Sequence, residues 1–466
     1  MLFNTLQFFV FFVVVTLMYF LVHQRWRWLL LLLASCYFYM AFVPVYILIL
    51  GGTIVVDYIA GILIENAKGP RRKLFLLMSL LANGGVLAVF KYYHFLNEIL
   101  TEILAGIHQS NPLPALKMLL PIGLSFHTFQ AISYTIEVYR GKQKAERHFG
   151  IYALYVMFYP QLVAGPIERP QNLIHQFYET HRFDYQRFKS GIGLMLWGLF
   201  KKVVIADRLS MAVDAGFANP HLQGSEAIWI AVFFYAFQIY CDFSGYSDIA
   251  IGAARIMGFD LMLNFNAPYF SPSIPEFWRR WHISLSTWFK DYVYVPLGGN
   301  RTHTLRWMAN LLLVFLLSGL WHGANVTFLI WGGVHGVLVI SYSLFRKQFP
   351  EPTNPTFWNQ FSQTILTFFA VMLAWVLFRA PSLQVALEIY KKLFLFNAGG
   401  MAGLGLNNTE LVFSFILIAL LMAKDKYLPN PHFKTETGFW AFHLILAFCC
   451  YLFGVFNLTQ FIYFQF

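Results

Sequence analysis

LVFLLSGLWHGANVTFLIWGGVHGVL, Leu313–Leu338, decides how the rest of the chain is read. It has the apolar length of a membrane helix pair, interrupted at Trp321-His322-Gly323, and carries a second histidine, His335, in the following run. A histidine in hydrocarbon is costly, so such a residue usually faces a bundle interior or a wet cavity and marks function. Backbone released from helical bonding at membrane depth is tolerated only where protein or a water-filled cavity covers it, which strengthens that reading for His322.

Outward from this stretch, the composition agrees. The 466 residues are 58% hydrophobic and 12% charged, which excludes an ordinary soluble domain and fits a polytopic membrane protein. Aromatics make up 19% and suit interfacial belts and a bundle packed with large rings. The net charge of +11 is spread in short clusters between apolar runs, so the positive-inside rule accounts for it and nucleic acid is not a partner. Cys36, Cys241, Cys449 and Cys450 lie in or beside apolar runs and read as packing residues. The first residues have neither a basic n-region nor a small-residue cleavage site, so they read as a retained first span.

Apolar runs occupy Leu2–Val22, Trp28–Phe42, Val45–Ile64, Leu74–Phe90, Leu116–Val138, Ile192–Phe217 with a charged interruption, and Ala227–Met257. Further runs are Leu311–Leu320, Val326–Leu344, Phe361–Phe378, Leu411–Met422 and Gly438–Asn457. The expectation is an all-α polytopic bundle of about eleven transmembrane helices with re-entrant and interfacial pieces, forming one membrane domain over residues 1–466. Arg25 and Arg27, then Lys68, Arg71, Arg72 and Lys73, then Arg140, Lys142, Lys144 and Arg147 alternate as cytoplasmic clusters. That count leaves the N-terminus and the closing FIYFQF outside.

Two segments are too polar to span. Phe149–Gln176, FGIYALYVMFYPQLVAGPIERPQNLIHQ, has prolines and a glycine that forbid a straight helix. Asn264–Arg301, NFNAPYFSPSIPEFWRRWHISLSTWFKDYVYVPLGGNR, sets Trp278, Trp281 and Trp288 beside Arg279, Arg280 and Lys290, as an amphipathic helix in the membrane interface would.

The candidate chemistry is histidine chemistry. His322 and His282 each follow a tryptophan and could converge if the intervening chain dips inwards; an imidazole titrating near neutrality can take a proton from a hydroxyl or thiol and return it to a leaving group. Either could equally hydrogen-bond a backbone carbonyl. His335, among Gly332, Gly333 and Gly336, reads as packing. Ser125 and His127, two apart on a helix, point to different faces and make a poor nucleophile pair. No metal, nucleotide-loop or serine-hydrolase motif is present, and no metal is expected. Asp242 and Asp248 sit inside an apolar run and need partners, for which Arg255 or the Arg279-Arg280 pair are the candidates; they also imply a polar interior lining a passage.

FWRRWHISLSTWFKDYVYVPLGGNR followed by LSGLWHGANVTFLIWGGVHG, with PIGLSFHTFQAISYTIEVYRG, FYPQLVAGPIERP and YCDFSGYSDIAIG, resembles the membrane-bound O-acyltransferases of the bacterial alginate O-acetyltransferase type. Peptidoglycan and cellulose O-acetylation subunits and the D-alanyl lipoteichoic acid transferase are close relatives of that type. The resemblance implies a bundle with a funnel on each face, in a bacterial inner membrane. His322 would be its near-invariant histidine and His282 its second polar position, with Trp321, Asn325, Asp242 and Asp248 lining the passage. It implies transfer from a cytoplasmic thioester to an extracytoplasmic glycan. Acetyl-CoA is the favoured donor, its phosphates met by Arg279, Arg280, Trp281, Lys290 and Arg301; an acyl carrier protein, as in D-alanylation, is the runner-up. Tyr463 would relay the acyl group, the alternative being an aromatic anchor. A separate SGNH-type partner would receive it. The competing class is a transporter or channel, but no paired repeat is visible.

Overall fold

A computed structural model describes residues 1–114, 121, 123–163, 165–350, 356–395, 403–429, 433–456 and 461–462. Among these, the regular elements are all helices. Each of the twelve apolar runs has a helix on it within the described residues, and seven helices are long and apolar enough to cross a membrane. These are Tyr46–Asn66, Pro70–Gly106, Ser225–Ile256, Thr304–His322, Val326–Gln348, Phe357–Arg379 and Glu436–Phe453. Leu6–Leu21 is apolar and slightly shorter. Phe9, Leu48, Leu81, Leu366 and Leu444 are large apolar side chains exposed on these helices, as lipid-facing sides would present them. The chain is thus an all-α, multi-pass membrane protein.

Two compact units divide the chain. The first, residues 1–195 with 249–262, is knitted by a buried carboxylate. Asp57 on Tyr46–Asn66 accepts from Ser79 Oγ at 2.6 Å and from Asn83 Nδ2 at 2.9 Å, both on Pro70–Leu87. Ser79 also reaches Thr135 on Leu124–Tyr139 at 3.1 Å, so one hydroxyl relates three helices. The proline-rich Phe149–Gln176 segment folds as expected into pieces: Phe149–Met157, Tyr159–Leu162 and Pro170–Leu173, with a 3-10 turn at Ile174–Tyr178. The prolines at 160 and 170 each open a new helix, where a missing N–H costs nothing.

The second unit, residues 196–248 with 263–466, contains the opening stretch. Thr304–His322 ends at Gly323, and Val326–Gln348 starts after Asn325, whose Oδ1 accepts the Thr327 N–H at 3.0 Å. Two full antiparallel helices therefore replace the break, joined by three residues. They cross at glycines: a Cβ on Gly319 would stand 2.2 Å from the Phe328 carbonyl, and one on Gly332 would stand 2.2 Å from that of Phe315. Only hydrogen fits at either position, which is how this pair approaches closely without a hydrophobic driving force in lipid.

The Asn264–Arg301 segment is not one amphipathic helix. It forms two seven-residue helices, Ile274–Arg280 and Ile283–Phe289, followed by a π turn over Lys290–Tyr294. Ser273 caps the first, and an extended Trp281 and a left-handed His282 separate the two.

Candidate functional site

His322 is the last residue of its helix and is 4% exposed. Three aromatic rings wall it in: Trp321 at 4.9 Å, and Trp331 and Phe378 each at 5.2 Å between centroids. Trp331 and Phe378 come from the helices Val326–Gln348 and Phe357–Arg379, so the hairpin turn sets His322 against both.

His282 is brought to the same place by strain. Its backbone lies in the left-handed region, with φ 43° and ψ 55°, which costs a non-glycine residue roughly 1–2 kcal/mol. The segment around it supplies the compensation through Asn264. The Asn264 carbonyl accepts the Ile283 N–H at 2.9 Å, and its side-chain oxygen meets His282 Nδ1 at 3.1 Å and Ser284 Oγ at 3.0 Å. Asn264 Nδ2 donates to Ser247 Oγ at 3.1 Å, which leaves Oδ1 as the acceptor towards His282. His282 then carries its proton on Nδ1, and Nε2 is the basic nitrogen. The two imidazoles have centroids 6.5 Å apart, beyond direct hydrogen bonding. Strain of this kind clusters where geometry has to be held for function.

His335 differs from both. It is fully buried, its Nδ1 accepts from Trp278 Nε1 at 3.3 Å, and rings of Trp278, Trp331 and Trp375 surround it. This is a packed core histidine, as its glycine-rich surroundings suggested. Trp281, expected to meet the donor beside the arginines, is likewise core: it is 1% exposed and packs on Phe265 at 5.1 Å and Trp375 at 4.9 Å. Arg279 is exposed and Arg280 half-buried; both pair with Glu276, at 3.1 Å and 2.8 Å. The Arg280 hydrogen bond, then burial and Arg279, set the balance that holds the Glu276 carboxyl below its ordinary range. Lys290 and Arg301 are exposed.

The aspartates take different partners from those expected. Neither Arg255 nor the Arg279-Arg280 pair forms an ion pair with them among the described residues. Instead Asp242 pairs with Lys202 at 2.6 Å, and Asp248 pairs with Lys201 at 2.7 Å. Lys202 also holds Asp207 at 2.8 Å, and Lys201 donates to Ser244 Oγ at 2.8 Å. Both lysines are buried on a π-helical turn, Phe200–Ala206, a distortion found disproportionately at functional sites. This turn is the charged interruption of the Ile192–Phe217 run. The signal was two adjacent lysines inside an apolar run, which buried charge must balance. Asn264, in contrast, announced itself by nothing.

Trp321 is buried against His322, and Asn325 is half-buried, its Nδ2 donating to the Pro381 carbonyl at 3.0 Å. Tyr463 lies outside the described residues.

Residues 16–382 match the model of the MBOAT, membrane-bound O-acyltransferase family. The probable alginate O-acetylase AlgI of Pseudomonas aeruginosa is 41% identical over 421 residues, covering 88% of this chain and 79% of that protein. The peptidoglycan O-acetyltransferase of Helicobacter pylori is 37% identical over 404 residues, covering 80% and 73%. The teichoic acid D-alanyltransferase of Bacillus subtilis is more distant, at 28% over 277 residues, covering 55% and 68%.

Proposed function

The chain belongs to the membrane-bound O-acyltransferase family and is an acyltransferase, and we propose that it carries an acetyl group from cytoplasmic acetyl-CoA across a bacterial inner membrane for O-acetylation of an extracytoplasmic polysaccharide. The observation that carries this reading is the extended identity to an alginate O-acetylase and a peptidoglycan O-acetyltransferase, well above that to a D-alanyltransferase. Alginate, peptidoglycan or another exopolysaccharide is the acceptor class.

In the proposed reaction His322 is the general base. Its imidazole takes the proton from an acceptor hydroxyl; the oxygen attacks the thioester carbonyl; the carbon–sulfur bond breaks; and the proton passes to the departing thiolate, releasing CoA thiol. The aromatic enclosure of His322 supports this role by excluding water that would hydrolyse the thioester. His282, held in one tautomer by Asn264, is the second polar group, its Nε2 accepting a hydrogen bond that orients the attacking hydroxyl. The exposed Arg279, Lys290 and Arg301, with Arg280, meet the donor phosphates, while Trp281 holds the segment that presents them. Trp321, Asn325, Asp242 and Asp248 line or brace the passage. Tyr463 is the acyl relay, its phenol activated by His322, and a separate SGNH-type protein takes the group onward.

The test is transfer of label from radiolabelled acetyl-CoA by the purified chain in lipid. Label on protein that needs both His322 and Tyr463 is the expected result. Full product formation by a stable His322→Ala protein contradicts the catalytic assignment. Undiminished transfer by Tyr463→Phe removes the relay, and activity only with an acyl carrier protein replaces the donor.

A further inference from the structure

The ion network of the second unit does more than balance charge. Asp242 Oδ2 accepts the backbone N–H of Ile462 at 2.8 Å, 220 residues away in sequence, while its other oxygen faces Lys202 at 2.6 Å. Phe461 is fully buried and Ile462 is 3% exposed. The Phe461 ring lies 4.4 Å from that of Tyr246 and 5.6 Å from that of Phe243, between centroids. Phe243 in turn stands edge-on to His282, at 4.6 Å and 90°. One turn of the Ser225–Ile256 helix, Asp242 to Tyr246, therefore forms a cradle for residues 461–462 whose wall is the ring that packs on His282. Upstream, the Val455 N–H donates to the Val203 carbonyl at 2.8 Å, on the same π turn that carries Lys202.

Burying a carboxylate in this apolar helix is expensive, and the pair with Lys202 alone leaves lone pairs to satisfy. A backbone N–H is an unusual choice of partner, because it recognises no side chain. It fixes the position of the main chain, and the Phe461 pocket fixes its register. We infer that Asp242 is a positioning residue for the reaction: with Lys202 and the Phe243–Tyr246 pocket it seats residues 461–462, and so sets the point from which the next residue, Tyr463, departs. This rests on the relay reading of Tyr463, and it assigns to Asp242 a task other than lining a passage. Orientation of this kind governs turnover, since a displacement of about 1 Å from reacting geometry can lower a rate on the order of a hundredfold.

The experiment is hydrogen exchange of the Ile462 amide in the full chain in lipid, together with kcat and KM for acetyl transfer. In the native chain that amide exchanges roughly a hundredfold more slowly than in an unstructured peptide. Asp242→Ala speeds it by about tenfold or more, and Asp242→Asn, which keeps a carbonyl acceptor, retains more protection than alanine. Because Asp242→Ala also leaves Lys202 with one carboxylate fewer, Ile462→Pro and Phe461→Ala test the seat from the other side, leaving the ion network whole. Each lowers kcat roughly tenfold while KM for acetyl-CoA stays within about twofold. An Ile462 amide exchanging at the unstructured rate in the native chain overturns the inference, as does full kcat in Ile462→Pro and Phe461→Ala. The underlying reading fails separately: undiminished transfer by Tyr463→Phe removes the relay while leaving the Ile462 protection intact.

Discussion

Asp57 in the first unit and Asp242 in the second are both carboxylates buried on apolar helices, and they are satisfied in opposite ways. Asp57 is met by neutral donors, a serine and an asparagine, on helices that Arg72 also ties together through the Ile64 and Tyr139 carbonyls. Asp242 is met by a lysine that it shares with Asp207 and by a main-chain N–H from far along the sequence. A neutral hub can be replaced by an isosteric amide with modest loss. An ionic hub cannot lose one member without stranding another charge, so it is retained where a fixed geometry has to be defended.

The largest effect should come from breaking the ionic hub. Lys202→Met leaves Asp207 and Asp242 buried without their shared cation, and a loss of about 3–5 kcal/mol is expected, read as a lowered thermal midpoint in detergent. A third buried carboxylate sharpens the contrast through pH. Glu168, in the broken segment outside the spanning helices, accepts the Met262 N–H, yet burial outweighs this and pushes its carboxyl up to about 7. The folded chain therefore keeps a proton that the unfolded chain releases near pH 4.5. The first unit should be most stable below that pH, lose roughly 3 kcal/mol as pH rises to about 7, and change no further above it. Glu168→Gln should remove that slope in a stability profile measured across the window. The smallest effect belongs to the neutral hub: Asp57→Asn should cost about 1–2 kcal/mol in the same melt, since Asn83 can turn its amide to donate or accept. A loss as large as that of Lys202→Met would abolish the distinction between the hubs.

Much of this was legible in the residues. The apolar runs gave the helices, because hydrocarbon thickness sets their length. The glycines around His335 gave a close helix crossing, and the two tryptophan-histidine pairs gave rings that do approach each other. Asp242 and Asp248 pair with Lys202 and Lys201 rather than with the arginines that the sequence suggests. Partner choice among buried charges depends on which helix faces meet, and a π turn had moved the lysines inwards. The sequence around His282 predicts an interfacial helix, and the structure instead puts His282 between two short ones. Its left-handed backbone depends on Asn264, eighteen residues earlier, and nothing in local propensity marks histidine for such a turn.

The most direct measurement of the central claim is single-turnover release of CoA from acetyl-CoA by the chain in lipid, comparing His322→Gln with His335→Gln. Both histidines are buried among tryptophans, so both changes disturb packing alike. If His322 is the base, its replacement should slow release by roughly 10²–10⁴-fold while His335→Gln, in a sample of equal melting temperature, stays within about tenfold of native. Equal rates for the two variants would contradict the account.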